Sequence, residues 1–178
     1  FQLCSKSLKD WIDETKNTPR DPHTIKMIFK QILEAVEFIH EKQAIHRDLK
    51  PSNILMDNYD SLRVSDMGNT TDFMKDDEKN DTRNRTSIET KFYSAPEQGE
   101  GRYSFKADMF SLGLIFELAT QLDKKVREKA FLKFRQGESN DELLATIKDG
   151  KTRDLINRLT SFDSQSRPTC RDVLNTYY

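Results

Sequence analysis

This sequence has few cysteines, no excess of either charge and no long apolar run, and each absence excludes something. The two cysteines, Cys4 and Cys170, lie near opposite ends of 178 residues and form no CxxC or metal-spaced group. A reducing compartment is the simpler reading. Lys plus Arg is 29 against 30 Asp plus Glu, a net charge of -1 with a pI of about 6.4. A chain so balanced is not, as a whole, an electrostatic reader of nucleic acid. The longest apolar run, around 112–116, is too short to span a bilayer. No basic stretch followed by an apolar one opens the chain, so no secretory signal is visible. What is present is 35% hydrophobic and 33% charged, with a mean hydropathy of -0.81. That length supports one domain with its own core. The first residue is Phe1, not Met, inside what reads as a strand, which suggests a piece cut from something longer.

Phe1-Gln2-Leu3-Cys4 reads as the end of a buried strand. Ser7 and Asp10 form a capping box for a short helix through Trp11 and Ile12. Asp21 can cap the next helix, with Pro22 at its first position, where the missing N–H costs nothing. There Ile25, Ile28, Phe29, Ile32, Leu33, Val36 and Ile39 recur at three- and four-residue steps, which predicts an amphipathic helix of about five turns. Ile54-Leu55-Met56 and Leu62-Arg63-Val64 flank the turn formers Asn58, Tyr59 and Asp60, so a small hairpin is expected. Residues 75–85 are nearly all charged or Asn, without a period, and read as an exposed, mobile loop. Residues 108–118 are apolar almost all round, which predicts a buried helix. A basic helix is expected over 124–133. Ser139 with Glu142 suggests a capping box, Thr152 an opening helix through Leu159, and Thr169 with Asp172 another box before a terminal helix. The total is six or seven helices around one hairpin.

Chemistry-bearing residues flank that hairpin. His46-Arg47-Asp48-Leu49-Lys50-Pro51-Ser52-Asn53 stands before it, Asp66-Met67-Gly68 after it, and Ser94-Ala95-Pro96-Glu97-Gln98 further on. As residue types, Asn53 and Asp66 offer hard oxygen ligands suited to Mg²⁺, and the hairpin's two strands would bring them together. Asn and Asp are also ordinary turn formers. This ordered set resembles the catalytic loop, the magnesium-binding D-F-G and the A-P-E of the eukaryotic-type protein kinases. Each motif alone is weak; the three in order are specific.

The resemblance implies a mainly α fold: the C-terminal lobe of a kinase, a helical bundle with a small hairpin carrying the catalytic and metal-binding loops. It covers 1–178, with 1–4 as the hinge, 46–53 as the catalytic loop and 66–97 as the activation segment. Phosphoryl transfer needs a placed nucleophile and neutralised phosphate charge. By resemblance, Asp48 orients the substrate hydroxyl and accepts its proton, and Lys50 reaches the transferring phosphate. Lys50-Pro51 is similar to Ser/Thr rather than tyrosine kinases. Asn53 and Asp66 would hold Mg²⁺, and ATP would meet Leu55 under its adenine and the main chain of Gln2 and Cys4. Met67 stands where the family has phenylalanine and would fill the same apolar slot against His46. Arg47 would pair with a phosphate on the activation segment, for which Thr86, Ser87 and Thr90 are candidate acceptors. Thr90 also resembles the hydroxyl that bridges the catalytic aspartate and lysine. Glu97 with Arg167 resembles a buried ion pair, and Asp108 the aspartate that holds the catalytic loop's backbone.

The family's glycine-rich loop, phosphate-anchoring lysine and its partner glutamate are not in the sequence. The isolated lobe is therefore expected to be inactive without its N-lobe. Within the family, Leu8-Lys9-Asp10-Trp11-Ile12, the stretch Glu34 to His40, Tyr93 to Gln98 and Phe110 to Ile115 are similar to kinases of the translation initiation factor 2 alpha subunit. That implies this subunit as substrate, regulation of protein synthesis under stress, a substrate-docking role for 124–133, no direct nucleic-acid binding by the lobe, and a cytoplasmic location. A solvated basic face is the plainer reading of 124–133. The alternative function is a non-catalytic mimic that binds and inhibits kinases or their substrate. The presence of Asp48, Lys50, Asn53 and Asp66 together favours the enzyme.

Overall fold

The structure is a computed structural model, and it describes residues 6–57, 61–69, 71–72, 88–101, 104–116, 124–138 and 140–178. Among them are five short strands and eight α-helices: β1 (Lys6–Ser7), α1 (Leu8–Glu14), α2 (Pro22–Glu41), β2 (Ala44–Ile45), β3 (Ile54–Met56), β4 (Leu62–Val64), β5 (Thr71–Asp72), α3 (Ile88–Tyr93), α4 (Phe105–Ile115), α5 (Lys124–Gln136), α6 (Asp141–Thr146), α7 (Gly150–Leu159) and α8 (Cys170–Tyr177). The architecture is mainly α, as the sequence predicts. No helix among the described residues is long and apolar enough to cross a membrane.

Local chemistry starts most of these helices. At α1 the Ser7 hydroxyl accepts the Asp10 N–H at 3.2 Å, and the Asp10 carboxylate accepts the Ser7 N–H at 2.9 Å. The Asp21 carboxylate takes the Thr24 N–H at 2.9 Å, with Pro22 opening α2. The seven apolar positions picked out by spacing are the buried face of α2. They share one core with α4, which is buried from Ala107 through Ile115, and Phe29 stacks on Phe116, the residue that ends α4, with centroids 3.8 Å apart. Gly113 lets α4 and α7 close. A Cβ there would stand 2.7 Å from Thr160 Cγ2 and 2.8 Å from Leu159 Cβ.

Several boundaries differ from expectation, and the basic helix α5 runs on to Gln136 instead of 133. α4 starts earlier, at Phe105, because the Ser104 hydroxyl accepts the Lys106 N–H. α7 opens at Gly150, not Thr152, because the Asp149 carboxylate accepts both the N–H and the hydroxyl of Thr152. α6 follows Asn140, whose side chain makes no cap but donates to the Ala130 carbonyl at 2.7 Å. Ser139, residues 1–4 and the tract 75–85 lie outside the described residues.

The expected hairpin is present. β3 and β4 pair antiparallel, Ile54 opposite Val64 and Met56 opposite Leu62, and β1 adds to the free edge of β3 with Ser7 opposite Leu55. A second antiparallel pair, β2 with β5, sets Ala44 opposite Asp72. The chain therefore enters the loop 46–53 from one small ribbon and leaves it into the other, so both ends are pinned.

Candidate active site

Asp108, 1% exposed in the first turn of α4, organises the loop from below. Its Oδ2 accepts the His46 N–H and its Oδ1 the Arg47 N–H, each at 2.9 Å. His40 Nε2 lies 2.9 Å from the same Oδ2. A buried carboxylate is tolerated only when bonded in this way. Arg47 adopts φ 69°, a left-handed conformation costing a non-glycine residue about 1–2 kcal/mol. Both of its main-chain groups are held: the N–H by Asp108 and the carbonyl by Gln98 Nε2 at 3.1 Å. Gln98 Oε1 in turn accepts the Ala95 N–H at 2.7 Å, so the segment 95–98 is fastened to the loop.

His46 is fully buried. Its Nδ1 accepts the Asp48 N–H at 3.3 Å, which puts the ring proton on Nε2, 2.9 Å from the Ser65 carbonyl. The imidazole thus bridges the loop to the end of β4.

The loop's polar side chains converge on Asp48. Its Oδ2 accepts from Lys50 Nζ at 2.8 Å and from Asn53 Nδ2 at 3.1 Å, and its carbonyl takes a second Asn53 Nδ2 bond at 2.8 Å. All three residues are buried, at 7% to 9% exposure. Both amide hydrogens of Asn53 face Asp48, so its Oδ1 is turned to other work. Asp48 Oδ1 takes no bond among the described residues. The Asn53 carbonyl accepts both the N–H and the hydroxyl of Ser65, at 2.8 and 3.0 Å. Asp66, the next residue, is therefore fixed beside Asn53 at the base of the hairpin. It is exposed, with φ 62°, two residues past the end of β4. As residue types, an amide oxygen and an exposed carboxylate are hard-oxygen donors of the kind that fit Mg²⁺.

Glu97 and Arg167 form a bidentate pair, Nη1 to Oε1 at 2.6 Å and Nη2 to Oε2 at 3.0 Å, with Arg167 1% exposed. Ser111 Oγ donates to the Tyr93 carbonyl at 2.8 Å, so α4 also fixes the end of α3. Leu55 is half-buried in the middle of the three-stranded sheet. Met67 sits in a 3-10 turn and is 45% exposed. Gln2, Cys4, Thr86 and Ser87 lie outside the described residues, as does the side chain of Thr90.

Sequence reasoning assigned no role to His40, Ser65, Gln98 or Ser111. Each acts across 18 or more positions of sequence. No local pattern marks such a bond.

The family model for the protein kinase domain matches residues 1–178. This chain belongs to the protein kinase family. Its kinase domain is 41% identical over 140 residues to eukaryotic translation initiation factor 2-alpha kinase 3 of Rattus norvegicus, covering 70% of this chain and 13% of that protein. It is 31% identical over 182 residues to the interferon-induced, double-stranded RNA-activated protein kinase of Rattus norvegicus, covering 99% of this chain and 34% of the relative. Human eIF-2-alpha kinase GCN2 is 32% identical over 199 residues, 99% of this chain and 12% of its own. The kinase domain thus spans about a third or less of each of these relatives. Its similarity to kinases of the factor 2 alpha subunit matches the expectation from sequence.

Proposed function

We propose that this chain is the C-terminal lobe of an ATP- and Mg²⁺-dependent serine/threonine protein kinase that phosphorylates the alpha subunit of translation initiation factor 2 and so regulates protein synthesis. The observation that carries the chemistry is the convergence of Lys50 and Asn53 on Asp48, with Asp66 next in sequence to Ser65, whose N–H bonds the Asn53 carbonyl. Asp48 uses Oδ2 to bind its neighbours, which leaves Oδ1 to receive a hydroxyl proton. Lys50 holds that carboxylate in place and would reach the transferring phosphate. Asn53 Oδ1 and the Asp66 carboxylate would hold Mg²⁺. When bound, the ion neutralises charge on the nucleotide phosphates. The backbone of the loop need not reorganise, since Asp108 and Gln98 already fix it.

The substrate is inferred from the names of the relatives. α5 is the docking element we favour for it. It buries Ala130, Phe131 and Phe134, yet leaves Val126 51% and Leu132 48% exposed among Lys125 and Lys129, an apolar and basic face. Nucleotide binding would also use Leu55 and the main chain of Gln2 and Cys4, with an N-lobe supplying the remaining phosphate contacts. Without that N-lobe the 178 residues would not turn over. Arg47 is the partner we assign to a phosphate on Thr86 or Thr90, on a lobe lying on the cytosolic side.

The test is Asp48→Asn in the full-length protein. Losing a positioned general base lowers kcat by about 10²–10⁴-fold. ATP affinity changes far less, because Asp48 faces the hydroxyl. Turnover equal to wild type in a purified assay would refute the assignment of the base.

A further inference from the structure

We propose that Glu37, His40 and Cys170, with Met109 beside them, form a binding site for a thiophilic divalent cation, and that the ion is Zn²⁺. None of these residues belongs to the loop 46–53, and the sulfur ligand separates the site from the Mg²⁺ chemistry of Asn53 and Asp66. The ligand atoms of the three residues lie within 4.8 Å of one another. A tetrahedral zinc with bonds of about 2.0–2.3 Å sets its ligand atoms roughly 3.5 Å apart, so closing the site takes side-chain shifts of about 1 Å.

The elements hold these residues in register. Glu37 and His40 are one turn apart on the same face of α2, and Cys170 is the first residue of α8, which packs on α2. Met109 brings a thioether sulfur 3.4 Å from Cys170 Sγ. The Asp108 carboxylate can only accept, so the proton of the neutral His40 ring sits on Nε2 and its lone pair on Nδ1. A carboxylate behind a histidine is the outer-shell partner that metal-ligating histidines generally have. Arg171 Nε engages Glu37 Oε1 at 2.9 Å, which leaves Oε2. A cavity of about 270 Å³ adjoins Glu37, His40 and Met109, with Lys106 and Arg171 also in its lining, while Cys170 is buried behind it.

The electrostatics favour a cation. The Glu37 and Asp108 carboxylates both lie close enough to act on Cys170, a negative surrounding for a positive ion. On binding, the S–H bond breaks and its proton goes to water, while the sulfur's electron pair forms the S–Zn bond and a hydration water leaves the ion. Thiolate, imidazole and carboxylate together suit Zn²⁺ and not Mg²⁺.

The test is titration of the full chain with Co²⁺, read by its spectrum, and with Zn²⁺ in competition with a chromogenic chelator. The expected result is one equivalent bound, with a thiolate-to-cobalt charge-transfer band. Cys170→Ala should remove the band and weaken Zn²⁺ at least ~10-fold, while Cys4→Ser leaves both intact. If Cys170→Ala does not fold, Glu37→Gln decides: it should keep the band and lose about tenfold in Zn²⁺ affinity. A wild-type protein without the band, a band that follows Cys4, or unchanged Zn²⁺ affinity in Glu37→Gln would overturn the site.

Discussion

Glu97→Ala should cost this fold more than any surface ion-pair deletion, because of what it leaves behind. Arg167 is among the largest fully buried side chains, and all five of its N–H donors are used. Nε donates to the Ser161 carbonyl at 2.8 Å. Nη1 donates to Glu97 Oε1 at 2.6 Å and to the Lys106 carbonyl at 2.9 Å. Nη2 donates to Glu97 Oε2 at 3.0 Å and to the Phe162 carbonyl at 3.3 Å. The Phe110 ring lies 4.9 Å from Cζ. Removing Glu97 orphans two donors and leaves a buried cation, a loss of about 3–5 kcal/mol for such pairs. The Glu97 side chain retains 14% exposure, so water can enter the vacated space, and the lower end, about 3 kcal/mol, is expected. For a chain of 178 residues that is a fall in Tm of roughly 6–12 °C. Glu97→Gln keeps one acceptor and should lose about 1.5–3 kcal/mol. The apolar double replacement Glu97→Leu with Arg167→Met should not recover stability, because three main-chain carbonyls would lose their donor. Urea unfolding followed by far-UV circular dichroism gives each difference. A loss below ~1 kcal/mol for Glu97→Ala, at unchanged m, would refute the reasoning.

Asp66→Ala in the full-length protein should abolish the Mg²⁺ dependence of nucleotide binding; Mg²⁺ titrations that overlay those of wild type would remove Asp66 as a ligand. Gly113→Ala should lower stability by about 1–3 kcal/mol, since the new Cβ meets α7 at 2.7 and 2.8 Å and this outweighs the helix preference of alanine, about 1 kcal/mol; a Tm at or above wild type would refute the close approach. The Thr152 hydroxyl bond holds the Asp149 carboxyl below its ordinary 3.8, and the Thr169 N–H does the same for Asp172. A depressed folded pKa means stability that is complete above about 3.8 and is lost as pH falls through the lower folded value. Asp149→Asn should flatten that acid loss, and parallel urea midpoints at about pH 3 and pH 6 for both proteins would contradict it.

Much of this molecule was legible because its signals are local. The seven buried positions of α2, the caps at Ser7, Asp21 and Thr169, and the β3–β4 hairpin each rest on residues within a few positions of one another. The Lys50–Asp48–Asn53 cluster spans six residues, so a motif could carry it whole. α3 and the β2–β5 ribbon were not legible. Each is short, and β2–β5 pairs residues 26 and 28 positions apart with no alternation to announce it. The boundary errors at α4 and α7 have one cause: Ser104 and Asp149 bond the helix starts ahead of the first periodic residue, so the cap decides and not the pattern.

The loop's strain shows why the remaining site residues escaped. Arg47 and Asp66 both carry positive φ without being glycine, which a local reading disfavours. Such backbone persists only when its surroundings over-determine it. For Arg47 those surroundings are Asp108, 61 positions away, and Gln98, 51 positions away. The resemblance already implied that Asp108 holds the loop's backbone, but Gln98 was only the last letter of a motif, with no role of its own. Its bond to the Arg47 carbonyl is visible only once the segment 95–98 is folded against the loop. Asp108 in turn shares one oxygen between the His46 amide and His40, so the loop, α2 and α4 meet on a single carboxylate. Replacing it by alanine would unfasten His46, Arg47 and His40 together. The same three contacts explain why a buried acid is kept at a position where an apolar residue would otherwise suit the core.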